Sequence, residues 1–168
     1  FVGGNDMTVR FKGNVKPEDL RAQLAAKGFP DAKVVSYETV DQNVHDFSVK
    51  VKASEKGDVK DNSAQAAALK TIFKEIDPDN ASTLPSLNLE GTQNLTERIA
   101  ADNPMGYPGD LKERSIKYQE MANLVINSRN RQTTQMFNTF NDLPVGVPPQ
   151  IRQSLEKNYR LGGVTILK

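Results

Sequence analysis

Met7-Thr8-Val9-Arg10-Phe11-Lys12-Gly13, followed shortly by Pro17-Glu18-Asp19-Leu20, carries the signals of a strand and then a helix. Met7, Val9 and Phe11 alternate with Thr8, Arg10 and Lys12, the two-residue period of a strand with one buried face, and Gly13 closes it. Pro17 stands where a first helical residue belongs, because the ring fixes φ and the missing N–H has no partner there in any case. Glu18 and Asp19 fill the first turn, Leu20 and Leu24 lie one turn apart, and Gly28 is a stop signal. The chain therefore opens with a strand and a short amphipathic helix.

Working outward, Val35, Tyr37 and Thr39 alternate with Ser36 and Glu38 between Lys33 and Val40. Asp41, Gln42 and Asn43 form a turn, after which Phe47, Val49 and Val51 face in while Ser48, Lys50 and Lys52 face out. This pair reads as a hairpin with one wet face. A polar linker, 54–61, leads to Asn62, which is placed to cap a helix whose Leu69, Ile72, Phe73 and Ile76 have the spacing of a buried stripe. Asp77 and Pro78 end that helix. Gly162 and Gly163 precede a last apolar strand, Val164 to Lys168. The resulting order, β-α-β-β-α-β, predicts an α+β protein with a ferredoxin-like sheet. One domain, 1–168, is expected, with its core in 5–76 and 162–168.

Residues 77–161 are not required by that pattern and carry almost no strand signal, so they are expected to form a helical insertion before the last strand. Thr92 or Asn94 is placed to cap a short helix with Leu95 and Ile99, ended by Asn103 and Pro104. A long helix is expected from Asp110, with Leu111, Tyr118, Met121, Ala122 and Val125 on its apolar side, running on toward Met136, Phe137 and Phe140. A final helix begins at Pro149, carries Ile151, Leu155 and Asn158 or Tyr159, and runs to Gly162. The polar face of the long helix mixes Lys112, Arg114, Lys117, Arg129 and Arg131 with Glu113 and Glu120, which is the pattern of a solvated face. Tyr118, Met136, Phe137 and Phe140 form a candidate partner-binding surface; the competing reading is packing of the insertion on itself.

Chemistry is harder to place. With 22 Lys and Arg against 21 Asp and Glu, a net charge of +1 and no clustered basic stretch, the chain lacks the electrostatic footprint of a nucleic-acid binder. There is no Cys, which removes disulfides, thiolate metal sites and thiol nucleophiles. The single histidine, His45, neighbours Asp46, but adjacent strand positions point to opposite faces, so no catalytic relay is expected, and His45 reads as a solvated loop residue. Asp77, Asp79 and Asn80 open like a calcium loop, yet Ser82 and Asn88 occupy the positions that demand Gly and Glu. Gly3 and Gly4 precede a strand without a phosphate-binding continuation. Asn80 and Asn94 each begin a glycosylation triplet, which such an Asn-rich chain produces by chance. No catalytic residue, metal or cofactor is expected, and no stretch approaches a bilayer span. The chain opens on Phe1 and stops within the apolar run Val164, Ile166, Leu167, and reads as a soluble piece of something longer.

Phe1-Val2-Gly3-Gly4, passing into the Met7–Phe11 strand and the Pro17-Glu18-Asp19-Leu20 helix start, resembles the SecD/SecF family of protein-export membrane subunits, and its SecF side most closely. In that family an F-x-G-G motif follows the first transmembrane helix and leads into a periplasmic ferredoxin-like domain. Phe1, Gly3 and Gly4 match it, while Asn5 stands where Thr is common. The resemblance covers residues 1–76 and 162–168 and leaves the helical insertion outside. It implies a non-enzymatic domain on the periplasmic side of the bacterial inner membrane, tied to the bilayer through flanking helices. It also implies contacts with a SecD-like subunit, the channel and the translocating polypeptide, in export that draws on the proton gradient. The alternative is a porter-type domain of a resistance-nodulation-division transporter, handling small molecules or lipids.

Overall fold

The computed structural model describes residues 4–39, 43–52, 59–79 and 82–167. Phe1 and Gly3 of the motif, Asp41 and Gln42 of the turn, linker residues 54–58, and Asn80 lie outside the described residues. The elements are β1 (Gly4–Lys12), α1 (Pro17–Ala26), β2 (Lys33–Tyr37), β3 (Val44–Lys52), α2 (Val59–Ile76), α3 (Thr92–Asp102), α4 (Leu111–Arg131), α5 (Pro149–Asn158) and β4 (Val164–Ile166). The chain divides into two compact units, Phe1–Ala81 with Gly162–Lys168, and Ser82–Leu161.

The first unit is α+β. Its four strands form one sheet in the order β2-β3-β1-β4, with every neighbouring pair antiparallel. Val9 stands opposite both Phe47 and Ile166. The apolar set that alternation selects on β1 and β3, Val9, Phe11, Phe47 and Val49, is almost wholly removed from water with Leu20 and Leu24 of α1 and Leu69 and Phe73 of α2. Phe11 meets Phe47 and Phe73 edge-on, at centroid separations of 5.9 and 6.3 Å, the arrangement aromatic quadrupoles favour. Gly28 adopts φ +102°, so the chain reverses after α1 and Phe29 N–H donates to the Leu24 carbonyl at 2.8 Å. Asp77 does more than end α2. Its Oδ1 accepts the N–H of Asp79 and of Gly163, each at 2.9 Å, which joins the helix end to the entry of β4. A Cβ on Gly163 would lie 3.0 Å from Asp79 Oδ2 and 3.2 Å from Asp77 Oδ1, so a side chain there would push these carboxylates aside by a few tenths of an ångström.

Several expectations require correction. On β2 the faces are inverted: Val34 is 3% exposed, whereas Val35 and Tyr37 are 56% and 53% exposed. Register explains it, because Val34 stands opposite Val49 and therefore shares the helix-covered face, while Val35 pairs with Ser48. Ser48, expected in water, is buried; it occupies the central strand between Thr8 and Val35. His45 lies within β3, half-buried, rather than in a loop. It stands opposite Phe11, while Asp46 stands opposite Arg10 on the other face and takes its guanidinium in two bonds of 2.7 and 2.9 Å. α2 starts at Val59, before Asn62, since no helix breaker lies between Gly57 and Asn62. β4 stops at Ile166.

The second unit is helical. α3, α4 and α5 bury Leu95, Ile99, Tyr118, Ala122, Val125, Ile151 and Leu155 in one core with Leu87, Phe137 and Tyr159. The cap of α3 is Gly91, so Thr92 and Asn94 both lie inside the helix, and its stop is Asn103 in the left-handed region at φ 48°. α4 begins as expected, with Asp110 accepting from Glu113 N–H at 2.9 Å, and ends at Arg131; Gln132 is extended and Gln135 takes φ +60°. Met136 and Phe137 therefore belong to a turn, and Phe140 opens a 3-10 turn, Phe140–Asp142. α5 ends at Asn158, four residues before Gly162, because Tyr159 goes extended to place its ring in the core. The unit's entry and exit run side by side. Leu87 N–H donates to Arg160 O at 2.7 Å, Arg160 N–H to Pro85 O at 3.0 Å, and Ser86 Oγ to Leu161 O at 2.6 Å.

Candidate functional site

In the helical unit a groove of about 490 Å³ opens along α4. Its apolar lining comes from Met105, Tyr107, Met121, Leu124, Pro148 and Ile151, and Lys117, Glu120, Asn123 and Asn127 contribute polar groups. The 103–107 segment reaches over this groove because one side chain holds it. Asn103 Nδ2 donates to Tyr107 O at 2.9 Å, and Asn103 Oδ1 accepts Tyr107 N–H at 3.0 Å. The same oxygen accepts the Tyr118 hydroxyl at 2.9 Å, whose oxygen in turn accepts Met105 N–H at 2.9 Å. The Tyr107 and Tyr118 rings stack at a tilt, 5.1 Å between centroids. Burial pushes the Tyr118 phenol above its ordinary value, so the hydroxyl remains a donor.

The same helical unit holds a set of buried polar contacts. Asn88 is fully buried and exchanges two bonds with the backbone of Phe137, accepting its N–H at 2.7 Å and donating to its carbonyl at 3.0 Å. Arg129 Nη1 donates to Leu87 O and Glu90 O at 3.0 and 2.7 Å, and burial brings its guanidinium pKa down to about 10. The Tyr159 hydroxyl donates to Glu90 Oε2 at 2.9 Å beneath the Arg98 guanidinium; burial, with the Glu90 charge second, raises its pKa. At the junction of α3 and α5, Asp102 accepts from Ser154 Oγ at 2.5 Å, which with the Lys157 charge holds its carboxyl below the usual 3.8. These bonds tie the turns around residues 88 and 137 and the helices α3, α4 and α5 to one another.

Sequence-selected residues divide sharply here. Tyr118, Met136 and Phe137 are at most 2% exposed, which corrects the expectation of an exposed aromatic and Met cluster. Phe140 is half-buried against the same core. Tyr118 alone of the four reaches the groove lining. Met105, Tyr107 and Leu124 were missed. The available signal was Asn103-Pro-Met-Gly-Tyr-Pro-Gly109, in which two apolar side chains are set among residues that stiffen and turn a loop. Gly4, the described residue of the motif, takes φ 110° where β1 begins, a conformation glycine tolerates. Among the described residues no group of three or more His, Cys, Asp or Glu is placed to hold a metal ion, and no helix is long and apolar enough to cross a membrane.

The chain thus combines an α+β sheet unit with a helical unit that bears an open groove. The chain is similar to the protein translocase subunit SecF of Koribacter versatilis (strain Ellin345), with 24% identity over 165 residues. The similarity covers 97% of this chain and 38% of that relative, so the chain spans well under half the relative's length. It also runs through the helical unit, which corrects the expectation that residues 77–161 lie outside the resemblance. No family profile matches the chain, and no solved structure matches it significantly.

Proposed function

We propose that the chain is the periplasmic domain of a SecF-like subunit of the bacterial protein-export translocase, built on a ferredoxin-like sheet. The single observation carrying this reading is the SecF similarity across nearly the whole chain. The strand order β2-β3-β1-β4, wholly antiparallel with α1 and α2 as its connecting helices, supports the ferredoxin-like assignment. Antiparallel pairing of β1 with β4 brings Leu167 N–H to Thr8 O at 2.7 Å, so the start of β1 and the end of β4 lie at one end of the sheet. That suits a domain leaving and rejoining one inner membrane. Its work is non-enzymatic, through contacts with a SecD-like subunit, the channel and the exported chain.

Within this reading the α4 groove is the polypeptide contact. An unfolded chain offers apolar side chains separated by polar backbone, and a groove with methionines and tyrosines among polar groups accepts such segments without demanding one sequence. Photo-crosslinkers at Leu124, 39% exposed beside the groove, and at Glu97 on α3 test it in the full-length subunit. A stalled export substrate should crosslink at Leu124 and not at Glu97. Equal yields at both would overturn the groove as the contact, and normal export in cells lacking the parent gene would overturn the export reading itself.

A further inference from the structure

On the sheet face opposite the helices, Lys33 of β2 stands directly across from Lys50 of β3, and Lys50 stands directly across from Asp6 of β1. Together with Lys52 and Asp31 these residues line a cleft of about 430 Å³. Like charges set opposite each other on neighbouring strands repel. Nothing within the unit offsets this, since none of the five side chains forms an ion pair or hydrogen bond among the described residues, and even Asp6 and Lys50 do not close on each other. Five exposed charges of both signs are thus held around a space without being joined across it. An anion lying between the lysines would remove the repulsion, and a cation beside Asp6 or Asp31 would complete the pairing. A zwitterion carrying both charges on one short chain satisfies the two demands at once.

The cleft's place narrows the source of that zwitterion. Lys52 is paired with Gly4, so the lysines sit at the end of the sheet where β1 begins and toward which β4 runs. We propose that this cleft binds the headgroup of a membrane phospholipid carrying a phosphodiester and a primary ammonium group, with Lys33, Lys50 and Lys52 on the phosphate and Asp6 and Asp31 on the ammonium. The inference rests on the export-subunit reading, in which this end of the sheet faces the bilayer. Phosphate carries the electrostatic attraction and the ammonium carries the selectivity, since a primary ammonium donates hydrogen bonds to carboxylates that a trimethylated one cannot.

The test is a titration of the isotope-labelled full chain with soluble short-chain lipids, followed by amide resonances. Dihexanoyl phosphatidylethanolamine should shift the signals of Lys33, Lys50 and Lys52 saturably. The dihexanoyl forms of phosphatidylcholine and phosphatidylglycerol should bind several-fold more weakly. Lys50→Gln should weaken the ethanolamine lipid roughly five- to tenfold, the scale of losing one exposed charge-assisted bond, and Asp6→Asn with Asp31→Asn should erase the preference over phosphatidylcholine. Equal binding of all three lipids, or no change on Lys50→Gln, overturns the proposal. Shifts reproduced in full by inorganic phosphate, or by free phosphoethanolamine at the same concentration, also overturn it, because the ligand would then be a soluble anion or zwitterion. An absence of lipid shifts in a chain whose full-length parent still supports export removes this inference and leaves the export reading standing.

Discussion

Asn103 shows how much one side chain can organise. It ends α3 at φ 48°, where a Cβ is costly for most residues and where asparagine is among the tolerated ones, and its amide makes bonds to Tyr107 and Tyr118 that hold the groove's overhanging turn. Asn103→Gly should keep the backbone geometry and lose the bonds, costing about 1–2 kcal/mol, while Asn103→Ala should add the left-handed strain and cost about 2–4 kcal/mol. Urea unfolding monitored by circular dichroism checks both, and equal losses would mean the strain contributes nothing. As a helix stop, Asn103 was legible from its own identity and from Pro104. Its second role was not, because the partner Tyr118 lies on the next helix and nothing in local spacing links them. Asn88 is the sharper case: the sequence presents it only as a failed calcium ligand, and its burial against Phe137 depends on a turn that periodicity does not reveal.

Among elements, β2 records the limit of alternation. Both Val34 and Val35 are apolar, so the two-residue period alone does not choose a face, and the cross-strand register with Val49 makes the choice. Val34→Asp should therefore destabilise the sheet unit by at least about 3 kcal/mol, from the lost burial and an unpaired buried carboxylate, whereas Val35→Asp should cost under about 0.5 kcal/mol. Thermal melts of the two variants measure the difference, and comparable melting points would place the register in error. The contact between α3 and α5 is electrostatic as well as apolar. Asp102 has a carboxyl pKa depressed below 3.8, chiefly by the Ser154 hydroxyl. A depressed acid stabilises the fold above the unfolded value, about 3.9, and that contribution is lost as pH falls through the lower folded value. Ser154→Ala should raise the Asp102 pKa, and the stability gap between wild type and variant should narrow below about pH 4. Carboxyl carbon titration and acid unfolding curves report these separately. An unmoved Asp102 titration would remove Ser154 as the cause. α1 and α5, by contrast, were legible at their starts because Pro17 and Pro149 act locally.

At the scale of the whole molecule, the two units differ in how their chain ends are closed, and this leads to the most direct physical test. Each unit has its own buried core, with Phe11, Phe47 and Phe73 in one and Tyr118, Phe137 and Leu155 in the other. Each also closes on itself. Residues 85–88 pair with 160–161 in the helical unit, and Asp77 accepts the Gly163 N–H in the sheet unit. A segment with a private core and joined ends satisfies the physical conditions for independent folding. Residues 82–161 expressed alone should give a helical circular dichroism spectrum and one cooperative urea transition worth about 4 kcal/mol or more, from the usual stability per residue. The complement, with residue 79 joined to residue 162 by a short glycine-serine linker, should keep its sheet spectrum and unfold cooperatively on its own. A helical piece that melts without a transition would show that its core needs the rest of the chain. Two stable pieces would let contacts made by the α4 groove and by the lysine cleft be measured apart, which no single substitution in the intact chain achieves.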